Sequence, residues 1–310
     1  MRPPIRYAYL VSTSYSGTTL LSILLDGHPA IVSIGEVDNT IRDAIEAGRH
    51  TEYPCSCGAP IRECSFFTGV KRHCAQQGVE LDLHDFGIRL GGGMGPNARR
   101  LLFGWPTHLV WLARARSAFL NQLPRYRRHV DHVFDRNIAI ARAALDVSGK
   151  GVFLDASKGV ARVPYLHRRS ELDLRVIHIV RDVRAFAHSH RRRDHTRTAR
   201  AARSWVRTHT NAIRLASLVG EDRYLRFRWE DFCVHPDESL DRIGHFLGAE
   251  PTELIARVND QRHHVIGNRM RLKPVGSIRS EEGWREDMTP QQLAACERVA
   301  GQMNRLFGYR

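Results

Sequence analysis

The sequence predicts an α/β protein: a doubly wound, mainly parallel sheet flanked by helices, with a P-loop-like first turn and a helical insertion. Three observations predict it. Short apolar runs rich in β-formers alternate with segments of helical period along most of the chain. The run Leu174–Val180 is apolar throughout except at Arg175 and His178, the pattern of a strand covered on both faces. The first run leads directly into a Ser/Thr/Gly turn and then a helix, which is how such folds build an anion site beyond the carboxyl end of a strand.

Taken in order, Tyr7–Val11 reads as the first strand. Thr18–Gly27 reads as a helix, with Leu20, Leu21, Leu24 and Leu25 at helical spacing and Gly27-His28-Pro29 as its stop. Val32–Ile34 is a short second strand. Residues 53–67 read as a loop rich in Cys and Pro, and Leu90–Gly95, with three successive glycines, as a mobile linker. Residues 97–147 read as helices rich in Arg and aromatics. Val152–Leu154 is a buried strand ending at Asp155. Leu174–Val180 is the clearest strand, and Arg223–Phe227 another. Thr198–Leu218, Ser239–Leu247 and Gln291–Phe307 read as helices. No internal repeat or low-complexity tract interrupts the 310 residues, which are read as one domain with a helical insertion over about 80–150.

The composition narrows the function classes. A content of 42% apolar and 26% charged residues fits a folded core and excludes disorder by composition. A net charge of +14 and a pI near 10.1 point to an anionic partner. The apolar stretch Ala8–Leu25 is broken by Ser12, Thr13, Ser14, Ser16, Gly17, Thr18 and Thr19. It therefore makes neither a signal core nor a membrane span, and a cytoplasmic protein with no transmembrane segment is expected.

Two segments carry chemistry. The first turn, Ser12-Thr13-Ser14-Tyr15-Ser16-Gly17-Thr18-Thr19, matches the nucleotide loop GxxxxGK[ST] at Gly17 and Thr19 but has Thr18 in place of its lysine. Small residues still let backbone N–H groups gather round an oxyanion at the positive end of a helix. Such a loop should hold one phosphate-like group rather than hydrolyse ATP. The second segment, Val180-Arg181-Asp182-Val183-Arg184, follows the best strand, and Ser189 lies two helical turns further on. Arg181 could fork onto a phosphate while Ser189 adds a hydroxyl.

Together these segments resemble the PAPS-dependent sulfotransferases, where PAPS is 3′-phosphoadenosine-5′-phosphosulfate. That family has a [KR]-S-G-[ST]-T loop after its first strand and R-D-x-R-x-x-x-x-S after a central one. Here they read Tyr15-Ser16-Gly17-Thr18-Thr19 and Arg181-Asp182-Val183-Arg184 with Ser189. Further features resemble a bacterial branch related to the tyrosylprotein and carbohydrate enzymes. They are Gly35-Glu36, the Cys-x-Cys-Gly segment from Cys55, Asp155-Ala156-Ser157-Lys158, Trp229-Glu230-Asp231-Phe232, and the basic loop from Gly267 to Lys273.

The resemblance implies transfer of a sulfuryl group from PAPS to an acceptor hydroxyl, yielding PAP and a sulfate ester, with no metal required. It implies that Ser14, Tyr15, Ser16, Gly17, Thr18 and Thr19 cradle the 5′-phosphosulfate. Arg181 and Ser189 would hold the 3′-phosphate, and Arg269, Arg271 and Lys273 would close over the nucleotide. Glu36 would be the base and Lys158 a cation at the reacting end. Tyr15 departs from the family, because it stands where a Lys or Arg is usual, so another cation, with Lys158 the first choice, must serve. The acceptor would be a small-molecule, carbohydrate, lipid or phenolic hydroxyl, its pocket shaped by the insertion.

Other readings compete. A P-loop-type small-molecule kinase would need the missing lysine and a Mg²⁺ site. A non-catalytic basic protein binding nucleotides or nucleic acid would use the arginines from Arg191 to Arg214, but no interleaved aromatic platform accompanies them, and no nucleic-acid partner is expected. Cys55, Cys57, Cys64 and Cys74, with His73, form the spacing C-x-C-x₆-C, which is not a standard zinc knuckle, and free thiols are expected there rather than a metal. Trp105, Trp111, Trp205, Trp229 and Trp284 are expected in the core or a lid.

Overall fold

Strands β1 (Ile5–Val11), β2 (Ile31–Gly35), β3 (Val152–Lys158), β4 (Leu172–Val180) and β5 (Tyr224–Arg228) form one sheet in the order β2-β3-β1-β4-β5. Every pair is parallel, so all five carboxyl ends share one edge. In this computed structural model the described residues are 3–38, 40–48, 51–92, 94–103, 115–116, 118–259 and 263–310. Gly93, Trp105, Trp111 and the rest of 104–114 and 117 within the expected helical stretch lie outside the described residues.

The helices are α1 (Thr18–Asp26), α2 (Thr40–Glu46), α3 (Ser65–Gln76), α4 (Pro96–Phe103), α5 (Pro124–Ser148), α6 (Val163–Leu166), α7 (Val183–Asp194), α8 (Thr198–Val219), α9 (Trp229–Val234), α10 (Pro236–Leu247), α11 (Leu254–Arg257), α12 (Trp284–Asp287) and α13 (Pro290–Leu306). Among the described residues, no helix is long and apolar enough to cross a membrane.

Side-chain alternation along β1 explains the layering. Tyr7, Tyr9 and Val11 face a cluster with Phe67, Phe134 and Phe153, packed by α3 and α5. Ala8 and Leu10 face a second cluster with Leu21, Leu24 and Phe232, packed by α1, α9 and α10. With helices on both faces, β1 and β4 are buried on both sides, which is why their sequences read as continuous apolar runs. A third cluster around Trp205, Phe186 and Phe307 joins α7, α8 and α13 beside β4.

The structure corrects the reading of 53–67 at one end. Residues 65–67 are the first turn of α3, with Cys64 as its N-cap. Phe66, Phe67 and Val70 bury its inner face, and Gly69 lets α5 approach closely, with Val147 only 3.2 Å from where a Cβ would stand. Leu90 is buried, and the glycines after it turn the chain, with the Gly92 N–H donating to the Arg89 carbonyl.

Candidate active site at the carboxyl edge

The turn between β1 and α1 is shaped by two left-handed residues, Tyr15 (φ 58°) and Gly17 (φ 78°). At Gly17 no side chain fits: a Cβ would lie 2.2 Å from the Trp229 ring. The turn is tied down from below, because Ser12 Oγ donates to the Ile179 carbonyl of β4 (2.9 Å) and Thr13 Oγ1 lies 2.9 Å from Ser16 Oγ. The first turn of α1 holds no acidic residue and no side-chain cap, which leaves the positive end of the helix open to an anion.

Arg181 leaves the end of β4 almost wholly buried, at 4% exposure. Its Nη1 donates to the Tyr15 carbonyl and to Ser189 Oγ at 3.4 Å, so both recognition segments meet on this one guanidinium. Its ion-pair partner is the exposed Glu281, at 3.7 Å, and its Nε has no hydrogen-bond partner among the described residues. Burial lowers its pKa from the ordinary value, against the pull of Glu281. A buried cation with an orphan N–H and only a loose, solvent-exposed counter-ion is a site prepared for an anion.

Several residues that the sequence reading gave no role hold this cation in place. Trp205 Nε1 donates to the Arg181 carbonyl at 2.9 Å. Glu230 Oε1 accepts from the Asp182 N–H at 3.1 Å, while Tyr309 Oη donates to Glu230 Oε2 at 2.5 Å. Burial raises the Glu230 pKa, an effect the Tyr309 hydrogen bond opposes. The Asp182 carboxylate caps α7 through the Arg184 N–H. Trp229 therefore fills the space beside Gly17 while its neighbour Glu230 braces the Arg181 turn. That pairing explains why a Trp-Glu dipeptide belongs at the end of β5.

On the other side of β1, Glu36 follows β2 and Lys158 ends β3. Lys158 Nζ lies 2.7 Å from Glu36 Oε1, and both side chains are partly exposed. Lys158 takes a left-handed conformation (φ 66°) and pairs in register with Val11, immediately before the first turn. The strain is held by Asp155, whose carboxylate accepts from the Ser157 N–H (2.8 Å) and from Tyr7 Oη (2.7 Å).

The segment 263–267 crosses this edge. Ile266 adds to β2, with its N–H on the Ile34 carbonyl and its carbonyl accepting from the Glu36 N–H, both at 2.9 Å. Gly35 and Gly267 make the crossing possible: a Cβ on Gly35 would meet the Ile266 carbonyl at 1.9 Å, and one on Gly267 would crowd Thr19 at 3.1 Å.

The three basic residues expected to close the site sit differently from one another. Arg269 and Lys273 are exposed, whereas Arg271 is buried. The Arg271 guanidinium donates to the carbonyls of Gly267 (2.6 Å) and Pro54 (2.7 Å) and lies over the Tyr53 ring. Tyr15, where a cation was sought, turns its ring to α7. Its Oη donates to Asp194 Oδ1 at 2.8 Å, and Arg193 lies over the ring at 4.9 Å, bringing a cation to the loop from a different element. A depression of about 600 Å³ lined by Arg197, Arg200 and Arg203 opens beside Asp194.

The cysteines rearrange. Cys74 is buried in the core side of α3, where burial pushes its thiol up to about 11, and His73 Nδ1 is spent on the Gly69 carbonyl. Cys55, Cys57 and Cys64 instead meet His264, with all four ligand atoms within 4.8 Å of one another.

The sulfotransferase domain of the olefin synthase from Synechococcus PCC 7002 superposes on this chain with a TM-score of 0.56 at 21% identity, covering 100% of this chain and 97% of that one. The chain has the sulfotransferase fold. A sulfotransferase domain from the curacin biosynthetic pathway is similar at a TM-score of 0.53 and 16% identity, with 100% and 99% covered. No family model matches the chain, and no curated protein matches it. In the sulfotransferase fold seen here, the first turn, Arg181 with Ser189, and the Glu36–Lys158 pair all lie along one sheet edge, the place where parallel α/β folds bind ligands.

Proposed function

We propose that this chain is a PAPS-dependent sulfotransferase that moves a sulfuryl group onto an acceptor hydroxyl. The observation that carries the reading is Arg181: a buried, incompletely paired cation at the end of β4 that touches both the first turn and Ser189. A 3′-phosphate would satisfy its orphan Nε, and the nucleotide's other end would then reach the open N-terminus of α1.

PAPS, when bound, supplies the sulfuryl group and a good leaving group; the chain's own residues do the rest. The N–H groups of Ser14 to Thr19 and the α1 dipole hold the 5′ end. Glu36 takes the proton from the acceptor hydroxyl on its carboxylate. Lys158, ion-paired to Glu36, holds that carboxylate in position and stands ready for charge growing on the leaving oxygen. Arg193, brought to the loop by Tyr15, serves as a second cation there. Arg269 and Lys273 close from the exposed side, and Arg271 anchors the loop that carries them. Because sulfuryl transfer asks mainly for positioning and charge stabilisation, these cations and dipoles suffice without a catalytic metal.

The acceptor is a small-molecule, carbohydrate, lipid or phenolic hydroxyl, and the described part of residues 80–150 shapes its side of the site. That segment reaches the catalytic edge through the Arg162 Nη1 hydrogen bond to the Ile88 carbonyl (2.6 Å), four residues beyond Lys158. The test is incubation with ³⁵S-labelled PAPS and pooled acceptors of each class, read by label in organic-soluble and carbohydrate fractions. Transfer to one class, abolished by Arg181→Ala, is expected. Label left in PAPS or released only as sulfate, together with turnover of ATP, would overturn the reading in favour of a kinase.

A further inference from the structure

The four-residue cluster at the junction of two distant segments has the chemistry of a metal site. Cys64 Sγ lies 3.6 Å from Cys55 Sγ, 3.8 Å from Cys57 Sγ and 3.2 Å from His264 Nδ1, and Cys55 Sγ lies 3.6 Å from His264 Nδ1. A tetrahedral zinc ion, with Zn–S of about 2.3 Å and Zn–N of about 2.0 Å, spaces its ligand atoms about 3.4–3.8 Å apart. The cluster therefore needs little movement to close on an ion, whereas none of its cysteines is paired in a disulfide.

The surroundings hold the four ligands in place. Cys55 is fully buried and Cys64 nearly so. The Gly58 turn (φ 92°) brings Cys55 and Cys57 round to one side, and Phe66 stacks on the His264 imidazole at 4.8 Å, fixing the ring plane.

We propose that Cys55, Cys57, Cys64 and His264 bind one structural Zn²⁺ that pins the 263–267 segment to the 53–64 loop. The site is closed: four protein ligands leave no open position for chemistry, so its role is anchorage. Binding releases the thiol protons and leaves a Cys₃His site with a net charge of −1. The neighbouring hydrogen bonds share the task, since Ser56 Oγ donates to the His263 carbonyl (2.6 Å) and accepts from the Val265 N–H (2.8 Å). Because the anchored segment supplies the Ile266 contacts to Gly35 and Glu36, the metal sets the position of the sheet edge without touching it.

This inference stands on the ligand geometry and does not rest on the transfer reaction. Its test uses the full chain expressed with zinc in the medium and purified without chelator. Elemental analysis and native mass spectrometry should find one zinc per chain, and X-ray absorption should give three sulfur and one nitrogen neighbours. Cys57→Ser, at the one cysteine ligand that is only partly buried, should lose at least nine-tenths of the metal. If that variant fails to fold, Co²⁺ substitution of the wild type decides the matter through the intense visible bands of a tetrahedral thiolate site. Stripping the metal should speed hydrogen exchange at 263–267 at least tenfold relative to β1. A wild-type chain that folds with less than 0.1 zinc, takes up no Co²⁺ and yields three reduced thiols on unfolding would overturn the proposal. So would zinc bound through oxygen and nitrogen ligands alone.

Discussion

Gly17 is the narrowest point of the candidate site, and replacing it with alanine has a cost that can be worked out. The left-handed conformation (φ 78°) penalises an L side chain by about 1–2 kcal/mol. Reduced freedom of the unfolded chain returns about 0.4–1 kcal/mol. The steric part is larger: the new Cβ would stand 2.2–2.3 Å from three atoms of the Trp229 six-membered ring. Carbon atoms rest at about 3.5–4.0 Å, so the ring or the loop must yield by more than about 1 Å. The ring is buried and stacked on Phe232 at 5.1 Å, and overpacking of that kind costs about 1–3 kcal/mol. Gly17→Ala should therefore destabilise the protein by about 1–5 kcal/mol.

The assay is urea unfolding followed by circular dichroism, with linear extrapolation to water. Trp229→Leu supplies the partner for a double-mutant cycle, because it removes the ring atoms that collide. In that background Gly17→Ala should cost only the conformational part, about 1 kcal/mol, leaving a coupling of about 1–3 kcal/mol. A wild-type cost below about 0.5 kcal/mol, or the same cost in both backgrounds, would refute the argument that Trp229 moulds the loop.

Other outcomes follow from the same geometry. Glu36→Gln should leave affinity for PAP within about twofold while cutting turnover by at least tenfold, the low end of what a general base contributes, as steady-state kinetics and calorimetry together would show. Tyr309→Phe removes a donor from the partly buried Glu230 carboxylate and should cost about 1–3 kcal/mol in urea unfolding. The chain His209–His178–Tyr224, with both imidazoles buried, sets a pH dependence. Burial pushes His209 down to about 3 and lowers His178 as well, with the neighbouring imidazole adding to the effect there. Below the unfolded histidine pKa of about 6.5 the unfolded chain thus binds more protons, and stability falls as pH drops from there toward 3. Unfolding midpoints between pH 7 and 5 should show His209 contributing up to about 1.4 kcal/mol per pH unit, a slope that His209→Gln should reduce.

The parts of the fold set by local pattern were legible in the sequence. All five strands follow from apolar runs, and their parallel pairing from the helices between them. Gly17 and Arg181 stood out because a tight turn or a fork of N–H donors directly after a strand is the arrangement an anion site requires. What the pattern hid was contact between segments far apart in the chain. His264 lies 200 residues from Cys64, so cysteine spacing alone drew attention to Cys74 and His73, which α3 directs elsewhere. Trp205 read as a helix residue and Glu230 only as part of a resemblance segment, and their hold on the Arg181 turn exists only once α8 and α9 pack beside β4. Arg271 looked like its neighbours Arg269 and Lys273, yet the carbonyls of Gly267 and Pro54 take its guanidinium inward. Helix α3 begins inside a stretch rich in Cys and Pro because Cys64 sits at its N-cap and its apolar face meets α5.

The measurement that bears most directly on the central claim is calorimetric binding of PAP and of AMP, which differ only by the 3′-phosphate, to wild type, Arg181→Ala and Ser189→Ala at moderate salt. Arg181 should contribute at least one charge-assisted hydrogen bond of about 1.5–3 kcal/mol, so wild type should prefer PAP by roughly ten- to a hundredfold or more. The preference should vanish in Arg181→Ala and shrink in Ser189→Ala, with AMP affinity moving far less in the serine variant. Equal affinity of wild type for the two nucleotides, or a PAP preference that survives Arg181→Ala, would contradict the account.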